Sequence, residues 1–203
     1  MDNYERSRDR AQAYFLGFDQ DVMIRNWDLR ADSKTIYVDF LGRPYGIDRV
    51  SGAVTRLWNG QQANHSEVLS IFDLLCHESR QKQLSGQFAP VNSLNGCPKG
   101  AGVGTDFHSG IASFYDQDVQ RFCAACTTLG GKPMKIADLA FEFPVFQDIT
   151  VVLKFYHGDE DFPASVTLLW DANMLQFVFY ETVFYIAGFL LSSIAEEMKR
   201  AGS

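Results

Sequence analysis

Three apolar runs in the last third of the chain constrain its fold most: IADLAFEFPVF (136–146), ITVVLKFYH (149–157) and SVTLLWD (165–171). Each is strand-length, rich in β-branched and aromatic residues, and bounded by a break that suits a turn. The first break is the dipeptide QD and the second is GDEDFPA. Along the middle run, alternation places Val151, Leu153, Phe155 and His157 on one face. The pattern predicts strands joined by tight connections, one of them acidic. A helix from Glu181 to Arg200 follows, with Val183, Ala187, Leu190, Ile194 and Met198 at helical spacing.

The first half carries a second strand-like region. KTIYVDFL alternates Ile36, Val38 and Phe40, and RPYGIDRV and GAVTRLW follow after the glycine-containing breaks LGRP and VSGA. Residues 34–58 therefore read as an antiparallel meander. Helices are predicted over Asn3–Phe18, where Ala11, Tyr14, Phe15 and Phe18 recur at three and four, and over part of 21–30. Another is predicted over 64–79, with Asn64 or Ser66 as cap and Val68, Leu69, Phe72, Leu75 and Cys76 as its buried stripe. A further helix runs from Ile111 to Leu129, stopped by Gly130 and Gly131. Between these lies one long irregular stretch, Gln83–Gly110, of a length that compact domains usually reserve for function or mobility. The expected architecture is one α+β domain over residues 1–203, a mostly antiparallel sheet packed against about four helices.

Charge and composition narrow the function classes. A formal net charge of −7 argues against a nucleic-acid partner, whose binders present a basic face, and against an anionic membrane surface. Arg6, Arg8 and Arg10 interleave with Glu5 and Asp9 and read as a solvated helix face. The opening MDNYERSRDRAQ lacks the apolar core of a secretory signal, and the apolar run VFYIAGFLL is under half the length of a membrane span. A soluble, cytoplasmic protein is expected. Four cysteines are too few for a disulfide scaffold in a chain this long, so they are expected as thiols.

Local motifs exclude more than they assign. CPKGAGVGTD is glycine-rich, but Lys99 precedes the glycines and no Lys-Ser/Thr pair follows, so it is no P-loop. GAGVG also lacks the spacing of a dinucleotide fingerprint, and a flexible or ligand-covering loop is the simpler reading. Cys123 and Cys126 in CAAC lie toward the C-terminal half of their helix, the wrong end for dipole stabilisation of a thiolate. A metal there needs two more ligands, for which only Cys97 and His108 are near in sequence. The four histidines form neither HxH nor HExxH spacing, and HSGIAS is not GxSxG. No strong motif indicates a cofactor, and no metal site is assigned.

The acids remain. Asp159, Glu160 and Asp161 repel one another, so their place at one turn calls for solvent, a cation or a basic partner. The simpler reading gives these acids turn, strand-end and capping roles; were the sheet to curl, Asp159, Asp161, Asp171 and Glu181 would instead converge on a hard cation such as Mg²⁺ or Ca²⁺, with His157 as acid or base.

GDEDFPASVTLLWDAN followed by YET and an apolar helix resembles the family of the domain of unknown function DUF3786, as does LGG before IADLAFEFPVF. The resemblance is specific over about Leu129–Glu181, with Asp161 standing where the family often has Glu. It implies a protein of anaerobic bacteria and archaea with no established activity. Gly158, Asp159, Glu160, Phe162, Pro163, Asp171 and Glu181 match the family pattern. Some members are similar to fusions with iron–sulfur modules, which CAAC alone cannot supply.

Three functions are open at this point, in order. The first is a ligand- or partner-binding accessory domain using Asp159, Glu160, Asp161, Asp171, Glu181 and His157 as its surface. The second is an oligomerising structural protein, such as a homodimer through aromatic strands. The third is a metal-assisted hydrolase or transferase using the carboxylates.

Overall fold

Strand register turns the three C-terminal runs into one apolar face. In the computed structural model, which describes residues 3–77, 82–99 and 109–200, they are β7 (Leu139–Phe146), β8 (Ile149–Tyr156) and β9 (Ser165–Asp171). Val151 sits between Phe143 and Trp170, Leu153 between Phe141 and Leu168, and Phe155 between Leu139 and Val166. All of these but Leu139 are buried. Residues of the opposite face, such as Thr150, Lys154 and Thr167, keep partial or full exposure. Two short edge strands that the sequence pattern does not single out complete the sheet. They are β6 (Lys132–Met134) beside β7 and β5 (Phe88–Pro90) beside β9, giving the order β5-β9-β8-β7-β6.

The predicted meander forms a separate four-stranded antiparallel sheet rather than part of the first. It contains β1 (Arg30–Ala31), β2 (Thr35–Phe40), β3 (Arg43–Asp48) and β4 (Val54–Arg56) in sequential order. Leu41 and Gly42 make the β2–β3 turn with φ of 48° and 69°, the left-handed pair that matches strand twist in a two-residue hairpin. A Cβ on Gly42 would approach the Leu129 carbonyl to 3.2 Å. The hairpin tip is therefore pressed onto the second sheet, and the Leu41 N–H donates to the Val145 carbonyl at 2.9 Å.

Helices fill the space between. α1 (Asn3–Leu16) and α2 (Gln20–Asn26) precede the first sheet, and α3 (His65–Cys76) follows it. The helix predicted over 111–129 is two, α4 (Ser109–Asp116) and α5 (Val119–Thr128). The break falls where the Asp118 side chain accepts from the Arg121 N–H and starts a new helix, an N-cap that an apolar-periodicity reading passes over. α6 (Tyr180–Arg200) is the hub, with Val183, Ile186, Leu190, Leu191 and Ile194 buried. Phe40 stacks on Phe189 of α6, Phe15 of α1 on Phe72 of α3, and Phe122 of α5 packs on Phe155 of β8. The fold is α+β with two antiparallel sheets and six helices among the described residues.

A charged group with no exposure lies inside this apolar frame. Glu67, wholly buried, accepts from the Tyr45 hydroxyl at 2.6 Å, from Arg56 Nε at 2.9 Å and from the Asn64 N–H at 2.7 Å. Arg56 Nη2 also contacts its second oxygen. Asn64 returns its side chain to the Glu67 N–H at 3.0 Å, closing a capping box at the start of α3. Replacing Glu67 by Ala strands a guanidinium and a phenol, so Glu67→Ala is expected to cost about 3–5 kcal/mol in urea unfolding. The double variant Glu67→Leu/Arg56→Met is expected to lose less than Glu67→Ala alone. Equal or greater loss in the double variant would show that the pair is not what Glu67 protects.

Candidate functional site

The acidic connection is held by carboxylates from elsewhere. As β8 ends, the His157 N–H donates to Asp138 at 3.0 Å and the Gly158 N–H to Asp116 Oδ2 at 3.0 Å. His157 Nδ1 lies 2.6 Å from Asp116 Oδ1, and its ring packs edge-on against Phe155 at 5.2 Å. The His157 contact, then the Gly158 N–H, hold the Asp116 carboxyl below its usual range. Asp159 is used within the turn, accepting from the N–H groups of Asp161 at 2.9 Å and Phe162 at 2.7 Å. Gly158 has no room for a side chain, since a Cβ would lie 2.8 Å from the Ala164 nitrogen. Glu160 and Asp161 are exposed, beside a Phe162 that is 70% exposed.

Asp171 sits at the other end of β9, about 20 Å away along the strand at the usual rise. It is buried and fully engaged. It accepts from the N–H of Ser85 (3.0 Å), Gly86 (2.7 Å) and Asn173 (2.8 Å) and from the Ser85 hydroxyl (3.0 Å). Burial pushes its carboxyl up, but those four donors outweigh the burial and hold it below the ordinary value. Glu181 lies exposed in the first turn of α6. Asp159 and Asp161 thus occupy one end of the second sheet and Asp171 the other, so the imagined convergence on a cation does not occur. Among the described residues no group of three His, Cys, Asp or Glu is arranged to hold a metal ion.

The cysteines are equally settled. Cys126 is buried and burial raises its thiol pKa, as desolvation does for Cys123. Neither is poised as a thiolate. Of the long stretch Gln83–Gly110, residues 83–99 include β5 and a short 3₁₀ turn, Val91–Ser93. The glycines 100–104 and His108 lie outside the described residues.

A cleft that sequence reasoning did not find lies at the Asp171 end of the sheet. It has a volume of about 1440 Å³ and is framed by α1, α2, the end of α3, residues 82–84 and the β7–β8 turn. Trp27 forms its aromatic wall, edge-on to Phe146 at 5.0 Å and tilted against Phe177 at 6.4 Å. Gln147, in the left-handed region with φ 49°, donates its side-chain N–H to the Trp27 carbonyl at 2.7 Å and fixes that wall. Lys82 Nζ sits 5.0 Å from the Trp27 ring centroid. Although more than a third of Lys82 is accessible, desolvation lowers its pKa, against the pull of Asp73 and Cys76.

At the cleft's inner side His77 Nδ1 lies 3.3 Å from Asp73, whose other oxygen accepts from the Phe179 N–H at 2.7 Å. The neighbouring Cys76 thiol is pushed up to about 12 by burial, so it packs and does not react. Asp171 reaches this site indirectly, because the segment it grips follows Lys82. Gln83 is held from both sides as well, its N–H by Gln176 at 3.1 Å and its carbonyl by Asn173 at 2.9 Å. Sequence could flag Trp27 as a large ring at a helix end, but nothing local to Lys82 distinguishes it.

Removing the Asp171 acceptor leaves three backbone N–H groups without their partner, and Asp171→Ala is expected to cost about 3 kcal/mol in urea unfolding. Its folded pKa is depressed, so its contribution is present above the unfolded value of about 3.9 and lost as pH falls through the folded value. Asp171→Asn should therefore flatten the fall in stability below pH 4. An unchanged acid limb would mean that Asp171 does not supply it.

No curated protein and no solved structure matches the chain. The family model described as a domain of unknown function, DUF3786, matches residues 19–192 of the 203. That span takes in both sheets, the acidic turn and the cleft's lining apart from Tyr14, Gly17 and Phe18, and the chain belongs to the DUF3786 family.

Proposed function

We infer that this chain is a binding domain that holds a small organic molecule in the cleft beside Trp27 and serves as an accessory module rather than a catalyst. The observation that carries the reading is the cleft itself: a concave site that sets an aromatic wall, Trp27, beside polar and charged side chains such as Asp28, His77, Lys82 and Gln147. The acidic turn enters this reading as a clasp of the fold, since Asp159 is committed to its own turn and Asp116 holds the neighbouring backbone. Glu160, Asp161 and Phe162 stay available to a protein partner, a second role favoured by the exposure of Phe162. Four free thiols and the net charge of −7 support a cytoplasmic protein that does not engage nucleic acid. Among the described residues no helix is long and apolar enough to cross a membrane.

A thermal-shift screen of small organic molecules tests the reading. A molecule present at about 100 times its Kd should stabilise the native state by about 2.7 kcal/mol, a rise in Tm of about 5 °C or more for a domain of this size. Asn26 lies exposed at the lip of the cleft, so Asn26→Trp should fill the entrance without disturbing the core, and should abolish the shift. Hits whose shift survives Asn26→Trp would place binding elsewhere and sink the proposal.

A further inference from the structure

Negative charge outweighs positive around the cleft. Asp19, Asp28 and Asp148 line it, against the single ammonium of Lys82. Asp19 is committed to the start of α2, where one oxygen accepts from the N–H groups of Asp21 and Val22 at 3.0 Å each. The side chains of Asp28 and Asp148 have no hydrogen-bond or ion-pair partner among the described residues. Gln147 ties the two to one place, since its side chain donates to the carbonyl of Trp27, the residue before Asp28, and Asp148 follows it. Lys82 does not neutralise them: its ammonium rests 5.0 Å from the Trp27 ring centroid, and the carboxylate whose field it feels is Asp73. A further acceptor lies deeper. The His77 side chain is 10% exposed, and with Nδ1 held by Asp73 the neutral ring presents Nε2 as an acceptor, with no partner among the described residues.

We propose that the cleft binds an organic ammonium cation, its charged group on the Asp28 and Asp148 carboxylates and within reach of the His77 acceptor. This rests on the cleft being a binding site. Two unneutralised carboxylates attract a cation by Coulomb force, and an ammonium brings three N–H donors to a site whose free groups accept. The Trp27 ring suits the same class, because its face already takes up a positive charge from Lys82. A volume of about 1440 Å³ is far more than a bare ion fills, so the cation carries an organic body. That body has a wall of its own on the side of α1 and α2, where Tyr14 and Val22 are 53% and 38% exposed and Phe18 packs edge-on to Tyr14 at 4.9 Å. Lys82 is the ligand's competitor, a tethered ammonium in the same field.

Paired probes of one shape separate the charge from the cleft: 1-naphthylmethylammonium and the neutral 1-naphthylmethanol, titrated by calorimetry into the whole chain at neutral pH. The ammonium is expected to bind about tenfold more tightly than the alcohol. Asp28→Asn/Asp148→Asn should bring the ammonium down to the level of the alcohol, and Asn tolerates the left-handed backbone of Asp28, φ 49°. Lys82→Met should tighten the ammonium further, because a competing and repelling charge is gone. Asp39→Asn/Glu196→Gln removes two exposed acids that do not line the cleft and should leave the preference intact. Equal affinities for the two probes, a preference that survives Asp28→Asn/Asp148→Asn, or one that Asp39→Asn/Glu196→Gln also erases would overturn the cation assignment while leaving the cleft reading standing. If neither probe binds the wild-type chain, both the cation assignment and the cleft reading fall.

Discussion

The buried carboxylate of Glu67 sets the position of α3, and much of the molecule is arranged around that helix. A wholly buried charge is tolerable only when its lone pairs are filled, and Tyr45 of β3, Arg56 of β4 and the N-cap Asn64 of α3 fill them. Tyr45 and Arg56 belong to neighbouring strands of the first sheet and are themselves a register pair. The carboxylate therefore reads the sheet's register and transmits it to the start of α3. From there Phe72 locates α1 by stacking on Phe15, and the far end of the helix delivers Leu75, Cys76 and His77 to the cleft. A network of this kind contributes specificity of arrangement more than net stability, because apolar replacements of a buried pair cost little.

The second sheet is organised by the same device at its two ends. Asp116 gathers the end of β8 through His157 and Gly158, and Asp171 gathers the segment after Lys82 through Ser85 and Gly86. In each case a carboxylate takes up backbone N–H groups that no strand ladder satisfies, the role water would otherwise fill. The acids of this chain thus include several that act as acceptors for irregular backbone. That use explains how three adjacent acids coexist at one turn: Asp159 accepts from backbone donors, and Glu160 and Asp161 are solvated.

What the sequence disclosed follows from the range of each signal. The runs from Leu139 to Asp171 were legible because alternation and turn chemistry are local, and so were the meander and the long C-terminal helix. The capping role of Asn64 was legible too, but the burial of its partner Glu67 was not, since burial depends on strands some twenty residues away. β1, β5 and β6 were missed because strands of two or three residues carry no period, and their pairing is dictated by the neighbour. The single helix expected over 111–129 divided at Asp118, where a local side-chain acceptor outcompeted continuation of the apolar stripe. Sequence places Asp171 near Asp161, while the strand carries it to the opposite end of the sheet.

The candidate site lay beyond sequence reasoning for a related reason. Trp27, Lys82, Gln147 and Phe177 come from four separated segments, and no two of them form a spaced motif. The stretch that carries the sequence resemblance, His157 through Pro163, belongs to the opposite end of β8 from the cleft, about 23 Å away at the usual strand rise. The turn is recognisable because it is built from residues with strict local demands, a glycine with no space for Cβ and an aspartate closing its own turn. A cleft makes no such demand on any one residue, since its walls need only be suitably placed. The turn therefore identifies the scaffold, and it touches none of the side chains that line the cleft. Asp171 alone connects the two levels, ending a signature strand on one side and gripping the backbone after Lys82 on the other.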